Sequence, residues 1–314
     1  MTQTKQNRLI HIMSLFFIVI TIIPPDICMA DSENTPARSQ FADKLNHFKY
    51  QEIRAPDITP LFRWDFSGNA VHRYAFSQEV RVETDMGANT GKAPGTANQH
   101  MTADGSLTIK SQGDGTAEFV LKDTTMKMEI TPGNGLEPRT IEGTMPPIII
   151  QGMTEGSQLQ LGDSSQEMLI RLLFPLPPET LKTGETVEVT ARMPFNAMGS
   201  RLQVIGHYRI TLTRYVAIAG RPCARFDVNI DISDPIIPEG ISGEFTSSMQ
   251  GASVYFFDVE NRRFVEGATA VLMKIGIDAP MPSVKINGKT AGKLPARARI
   301  SMTSDNFIRV NLKQ

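Results

Sequence analysis

Apolar and polar residues alternate along this chain from about residue 70 almost to its end. In the first such stretch Tyr74, Phe76, Val80 and Val82 share one face, while Arg73, Ser77, Glu79, Arg81 and Glu83 share the other. Successive side chains of a strand point to opposite faces, so this pattern predicts a half-buried β-strand. It recurs at Leu107 and Ile109, at Ala117, Phe119 and Leu121, and at Met126, Met128 and Ile130. Gly113-Asp114-Gly115 predicts a hairpin turn between two of these runs. A second series follows: Val187 to Met193, Leu202 to Leu212, Phe226 to Ile232, a hairpin at Tyr255 to Phe264 leading to a strand ending near Ile275, then Ala296 to Met302 and Ile308 to Leu312. At least ten strands joined by short turns predict a mainly β fold, an antiparallel meander forming a curved half-barrel or sandwich sheet.

Helical periodicity is confined to one place. Phe41, Leu45 and Phe48 recur between Lys44, Asn46 and Lys49, which predicts one short N-terminal amphipathic helix. Pro56 and Pro60 impose an extended lead after it. The expected organisation is therefore a leader at 1–30, helix and lead at 31–60, a first β region at 61–150, a Gly-rich linker at 151–166 and a second β region at 167–314. Met86 to His100 reads as an exposed Gly-, Asn- and Thr-rich loop. The two β regions are meanders of similar length, as duplication of one half-barrel would leave them, but they share no motif that establishes it.

The leader sets the compartment. Lys5 and Arg8 precede an apolar run from Leu9 to Ile23, Pro24-Pro25 breaks it, and Cys28-Met29-Ala30 offers small residues to signal peptidase. The apolar run is shorter than the roughly 20 residues a membrane span needs. The expectation is a periplasmic or secreted protein with no membrane span after cleavage. Lipidation at Cys28 is disfavoured, because Pro25-Asp26-Ile27 lacks small residues before the cysteine.

Composition narrows the partners. The chain carries 32 basic and 33 acidic residues; without the leader the net charge is near −2, and no long basic run is present, which argues against nucleic acid. Removal of Cys28 leaves Cys223 alone, so an internal disulfide is excluded and the fold must rest on its core. Cys223 itself reads as a small buried hydrophobe.

Candidate chemistry is sparse. Gly87 to Ala93 is one residue short of a phosphate-binding loop and lacks its metal-binding hydroxyl. Asp227, Asn229, Asp231 and Asp234 offer oxygen atoms to Ca²⁺ but fit a solvated strand face as well. His100, Met101, Met126 and Met128 suggest Cu(I), yet the two later methionines fit the apolar face of a strand. His207 beside Arg209, with Arg201 nearby, outlines a small anion patch. His47 and His72 share no metal spacing with the other histidines. No nucleophile elbow, zinc-protease motif or paired catalytic carboxylates appear, and Asp258 with Glu260 belongs to a hairpin. No cofactor is implied.

The order Phe174-Pro175-Leu176-Pro177-Pro178, Gly184, Tyr208-Arg209-Ile210-Thr211-Leu212, Gly220-Arg221-Pro222-Cys223-Ala224 and Tyr255-Phe256-Phe257-Asp258 resembles exported bacterial β-rich proteins of the domain-of-unknown-function kind. In architecture alone, a helix followed by a long antiparallel meander is similar to the periplasmic lipoprotein carrier and receptor half-barrels, whose curved sheet encloses an apolar cavity. That resemblance implies a non-catalytic protein holding a lipid, a lipoprotein or an envelope partner. The lining positions expected on the concave face are Tyr74, Phe76, Phe119, Met126, Met128, Tyr208, Phe226 and Phe256. The alternatives are an assembly subunit of a cell-envelope complex and a hydrolase with an unrecognised site.

Overall fold

The computed structural model describes residues 37–86, 95–133, 137–160, 164–197, 200–237, 243–280, 285–286, 289–290 and 297–313. The Gly87 to Ala93 loop and the leader lie outside them. The described elements are helix α1 (Ala37–Leu45), strands β1 (Gln51–Glu52), β2 (Val71–Met86), β3 (Gly95–Ser111), β4 (Thr116–Pro132), β5 (Arg139–Met145) and β6 (Ile148–Thr154), helix α2 (Ser164–Leu173), then β7 (Thr186–Ala197), β8 (Ser200–Ile218), β9 (Arg221–Ile236), β10 (Glu244–Asp258), β11 (Arg263–Pro280), the short pair β12 (Lys285–Ile286) and β13 (Lys289–Thr290), and β14 (Arg297–Leu312). The protein is mainly β, as the alternation predicts.

Twelve strands form one antiparallel sheet that does not close. Its central path runs β8-β9-β10-β11-β14-β2-β3-β4, with β1 and β7 on the outer side of β8, and β5 and β6 on the outer side of β4. Both β regions thus contribute to one sheet, joined where β2 pairs with the C-terminal β14 over Tyr74–Met86 and Ile300–Leu312. The main strands hold 15 to 19 residues, roughly 50–60 Å at ~3.3 Å per residue.

Two differences from the sequence reading have local causes. A second helix, α2, replaces the last residues of the expected linker and the start of the expected second β region: Met168, Leu169 and Leu172 are buried on it, Glu167 and Arg171 pair one turn apart at 2.9 Å, and Pro175 follows its end. The expected loop before His100 is shorter, because Gly95–His100 already pairs with β2.

Both faces of the sheet are covered in part. The larger core lies on one face of the sheet, its inner face, and takes in α2, Phe62, Trp64 and Phe66. On the opposite face α1 lays Phe41 and Leu45 over Val216, Cys223, Val254, Phe256 and Ala268. Strand β4 keeps one side inward across a bulge: Ala117, Phe119 and Leu121 precede it and the polar Thr124, then Met126 and Met128, follow, with Asp123 at φ 53° taking up the extra residue.

Candidate ligand-binding site

The inner face divides into two ends of different character. At the first end, where β2 begins, aromatic residues form a filled plug. Trp64 lies 5.3 Å from Phe174 and 5.4 Å from Phe264 between ring centres, and Tyr74 lies 5.4 Å from Phe174. Phe62 packs edge-on against Phe226 at 4.9 Å. Several polar atoms within this plug are paired: Tyr74 donates to the Phe264 carbonyl at 3.0 Å, Trp64 Nε1 to Ser157 Oγ at 2.9 Å, and Thr269 Oγ1 to the Leu172 carbonyl at 2.9 Å, whereas the two ring nitrogens of His72, whose ring lies 5.6 Å from Trp64, are buried without a partner. The segment carrying Trp64 is strapped across the end, its amide bonded to the Glu155 carbonyl at 2.8 Å and its carbonyl to Arg262 at 2.9 Å. Such an end is a built core of interlocked rings.

The second end is composed differently. Moving along the strands, three successive inward rows can be read from the register. One carries Tyr208, Ile230, Gly251, Val271, Asn306, Val80, Met101 and Met128. The next carries Ile232, Met249, Met273, Ser304, Val82 and Gln99. The third carries Ser247, Ile275, Met302 and Thr84. Five methionines, at 101, 128, 249, 273 and 302, are buried in these rows among short aliphatic and polar residues. Gln78 donates to Asn306 at 3.1 Å. Three buried hydroxyls, on Thr84, Ser247 and Tyr208, have no hydrogen-bond partner among the described residues. Unbranched thioethers repack readily, and buried hydroxyls without partners are exceptional in a finished core.

The expected lining residues distribute unequally over this surface. Tyr74, Phe76, Phe119 and Phe226 belong to the aromatic end; Met126, Met128 and Tyr208 lie toward the methionine-rich end. Phe256 faces the other way, beneath α1 and 5.1 Å from Phe48. In the run Tyr255-Phe256-Phe257 alternation must send the middle ring outward, and α1 gives it cover there. The expected lining set did not include Met249, Met273, Met302, Thr84 and Ser247, whose only signal was their place in the same alternation, nor Met101, which entered only as a copper candidate.

The other candidates resolve as surface ion pairs or turn contacts. His100 points outward, 3.1 Å from Glu79, whereas Met101 points inward, so the two do not converge. Asp227 pairs with Arg225 at 2.7 Å and shares the outer face of β9 with Asn229 and Asp231. No group of three or more metal-ligating residues occurs among the described residues. The His207 and Arg209 patch already has its carboxylate: Glu188 lies 3.1 Å from His207 and 2.9 Å from Arg209, whose hydrogen bond lowers that carboxyl below its usual range. Asp258 is fully buried, where its carboxylate accepts the Glu260 and Asn261 amides of the hairpin turn at 3.1 and 2.9 Å. No helix among the described residues is long and apolar enough to cross a membrane.

Several cavities lie beside the sheet among the described residues, two of which bear on the candidates above. One of about 470 Å³ on the polar face is lined by Arg81, Glu83, His100, Glu129, Thr303 and Asp305, among others. The other, of about 400 Å³, lies between α2 and β7–β8, with Glu167, Met168 and Arg171 on one side and Thr190, Arg192 and Tyr208 on the other.

No protein-family model matches the chain, and no curated protein matches it. Among solved structures it is similar to Pseudomonas aeruginosa OccK7 (OpdD), at 7% identity and a TM-score of 0.23 over 78% of this chain and 99% of that one. A second similarity, to the enduracididine biosynthesis enzyme MppR complexed with pyruvate, has 11% identity and a TM-score of 0.09 over 75% and 88% of the two chains. Likeness at this level carries no argument about function.

Proposed function

We propose that this is a non-catalytic binding protein of the periplasm or another extracytoplasmic compartment, which holds a mainly apolar ligand on the methionine-rich half of its concave face. The observation that carries this reading is the contrast between the two ends of that face. Around Trp64 large rings interlock and the indole N–H is paired, as suits a fixed core. Where Met101, Met128, Met249, Met273 and Met302 gather with the unpartnered hydroxyls of Thr84 and Ser247, the surface suits a guest of variable shape carrying a few polar atoms. The aromatic plug then acts as a fixed floor, and the open sheet supplies a route past its edges. Native mass spectrometry of detergent-free protein, followed by organic extraction, tests the reading. It expects a co-purifying amphiphile released by solvent; bare polypeptide that also fails to take up added palmitate would overturn it.

A second reading, assembly into an envelope complex, is favoured by one feature. Strand β5 lies at the sheet edge and is exposed along nearly its whole length, Ile141 included. Edges of this kind accept an added strand. Cross-linking in intact cells would return one stoichiometric partner attached at β5.

A further inference from the structure

His72, at the start of β2, is 7% exposed, and neither of its ring nitrogens has a hydrogen-bond partner among the described residues. A buried polar side chain normally has one. The ring lies 5.6 Å from that of Trp64, and its cross-strand neighbour on β3 is the apolar Ile109. The charged groups it senses are Arg263 from β11 and Asp65 from the strap. Burial and Arg263 both disfavour a proton on the ring, and Asp65 opposes them. Asp65 is already engaged, since its carboxylate accepts the Ser67 amide at 2.9 Å and is drawn to Arg262. An imidazolium formed here would be a buried cation beside a second cation, with no acceptor in place.

The neighbours of His72 differ in how firmly they are held. Strand β2 is laddered to β3 from Val71 onward and to β14 from Tyr74 onward. Phe62–Phe66, the strap that carries Trp64, belongs to no strand. Its backbone rests on a few bonds: the Trp64 amide to the Glu155 carbonyl at 2.8 Å, the Asp65 amide to the Arg262 carbonyl at 3.1 Å, and Arg262 to the Arg63 and Trp64 carbonyls at 3.2 and 2.9 Å. The strap is therefore the element that yields first. We propose that His72 is a proton-operated latch: a proton on its ring lifts Trp64 and the strap off the sheet and opens the aromatic end of the inner face to water. The latch does not depend on a bound ligand; in the ligand-binding reading the same plug is the floor while the latch is closed. With the strap lifted, the ring regains water and its ordinary value of 6.5. Each pH unit below that raises the ratio of released to closed strap by up to about ten-fold, until the closed form itself takes up the proton.

Trp64 is the single tryptophan of the chain, so its fluorescence reports the strap without labelling. In the whole protein, lowering the pH from 7.5 to 5 should shift the emission to the red and raise acrylamide quenching several-fold, while far-UV circular dichroism stays unchanged. His72→Gln and His72→Phe carry no ionisable ring and should be quenched as weakly at pH 5 as at pH 7.5. Arg263→Gln keeps the imidazole and removes the neighbouring cation, so the closed state tolerates the proton better and the rise should shrink. That variant carries the test if both His72 variants fail to fold. Quenching in wild type that stays low down to pH 5, an equal rise in the His72 variants, or an undiminished rise in Arg263→Gln would overturn the latch. So would a rise that appears only with loss of the far-UV signal, because the whole sheet would then be unfolding.

Discussion

The ring of Tyr255 on β10 lies over Gly267 on β11, its cross-strand partner, so closely that a Cβ at position 267 would overlap the ring. The same tyrosine reaches inward to the Leu172 carbonyl at the end of α2 and to Thr269 at 2.8 Å. A missing side chain on one strand thus lets an aromatic ring lie flat and pin the helix to the sheet. Gly267→Ala is expected to cost about 1–3 kcal/mol, the usual loss from overpacking a filled site, read as a lower urea midpoint at unchanged m. Gly143→Ala, on exposed β5 where nothing lies within 4 Å, should stay within about 0.5 kcal/mol.

Tyr255→Phe tests the pin separately. Thr269 still donates to the Leu172 carbonyl at 2.9 Å, so that acceptor is not abandoned. A loss of about 1 kcal/mol is expected, with faster amide exchange at the last turn of α2. An unchanged exchange rate there would show that α2 is held by its apolar side chains alone.

Cys223 should be inert in the folded protein. It is fully buried beneath α1, and burial, with Asp258 adding to it, pushes its thiol up to about 12. The thiolate is the reactive form, so Ellman's reagent at pH 8 is expected to label it only after denaturation. Rapid stoichiometric labelling of native protein would mean that α1 leaves the sheet readily.

Acid should weaken the fold through His72. Burial, with Arg263 beside it, holds this imidazole below its ordinary value of 6.5. As pH falls through about 6.5 the unfolded chain takes up a proton that the folded protein refuses. Stability is therefore lost as pH falls below that point, until the lowered native value is reached. Urea midpoints between pH 7.5 and 5 should fall less steeply in His72→Phe than in wild type. Parallel slopes would place the acid sensitivity elsewhere.

Much of the fold is written in the alternation of residues, and the departures have physical reasons. The inward set on β2, from Tyr74 to Val82, is legible because its outward partners are charged. On β3 the inward Gln99 and outward Asn98 and His100 are all polar, so burial leaves no contrast to read. Helix α2 is only 10 residues long and lies between a Gly-rich stretch and Pro175, which together resemble a linker. The pairing of β2 with β14 joins residues more than 200 positions apart, which local pattern cannot reveal. The site is the least legible part. Methionine reads as ordinary core filler, and only the register of β14, β11 and β10 brings Met302, Met273 and Met249 into neighbouring rows. The large rings chosen as ligand contacts were conspicuous, and four of them belong to the plug.

The most direct measurement is photo-cross-linking with a diazirine-bearing palmitate, followed by peptide mapping. Label is expected on the segments holding Val80–Thr84, Gln99–Met101, Val271–Ile275 and Met302–Asn306, and excess unlabelled palmitate should remove it. Label confined to the outer face, or label that palmitate does not displace, would contradict a ligand held on the methionine-rich half of the sheet.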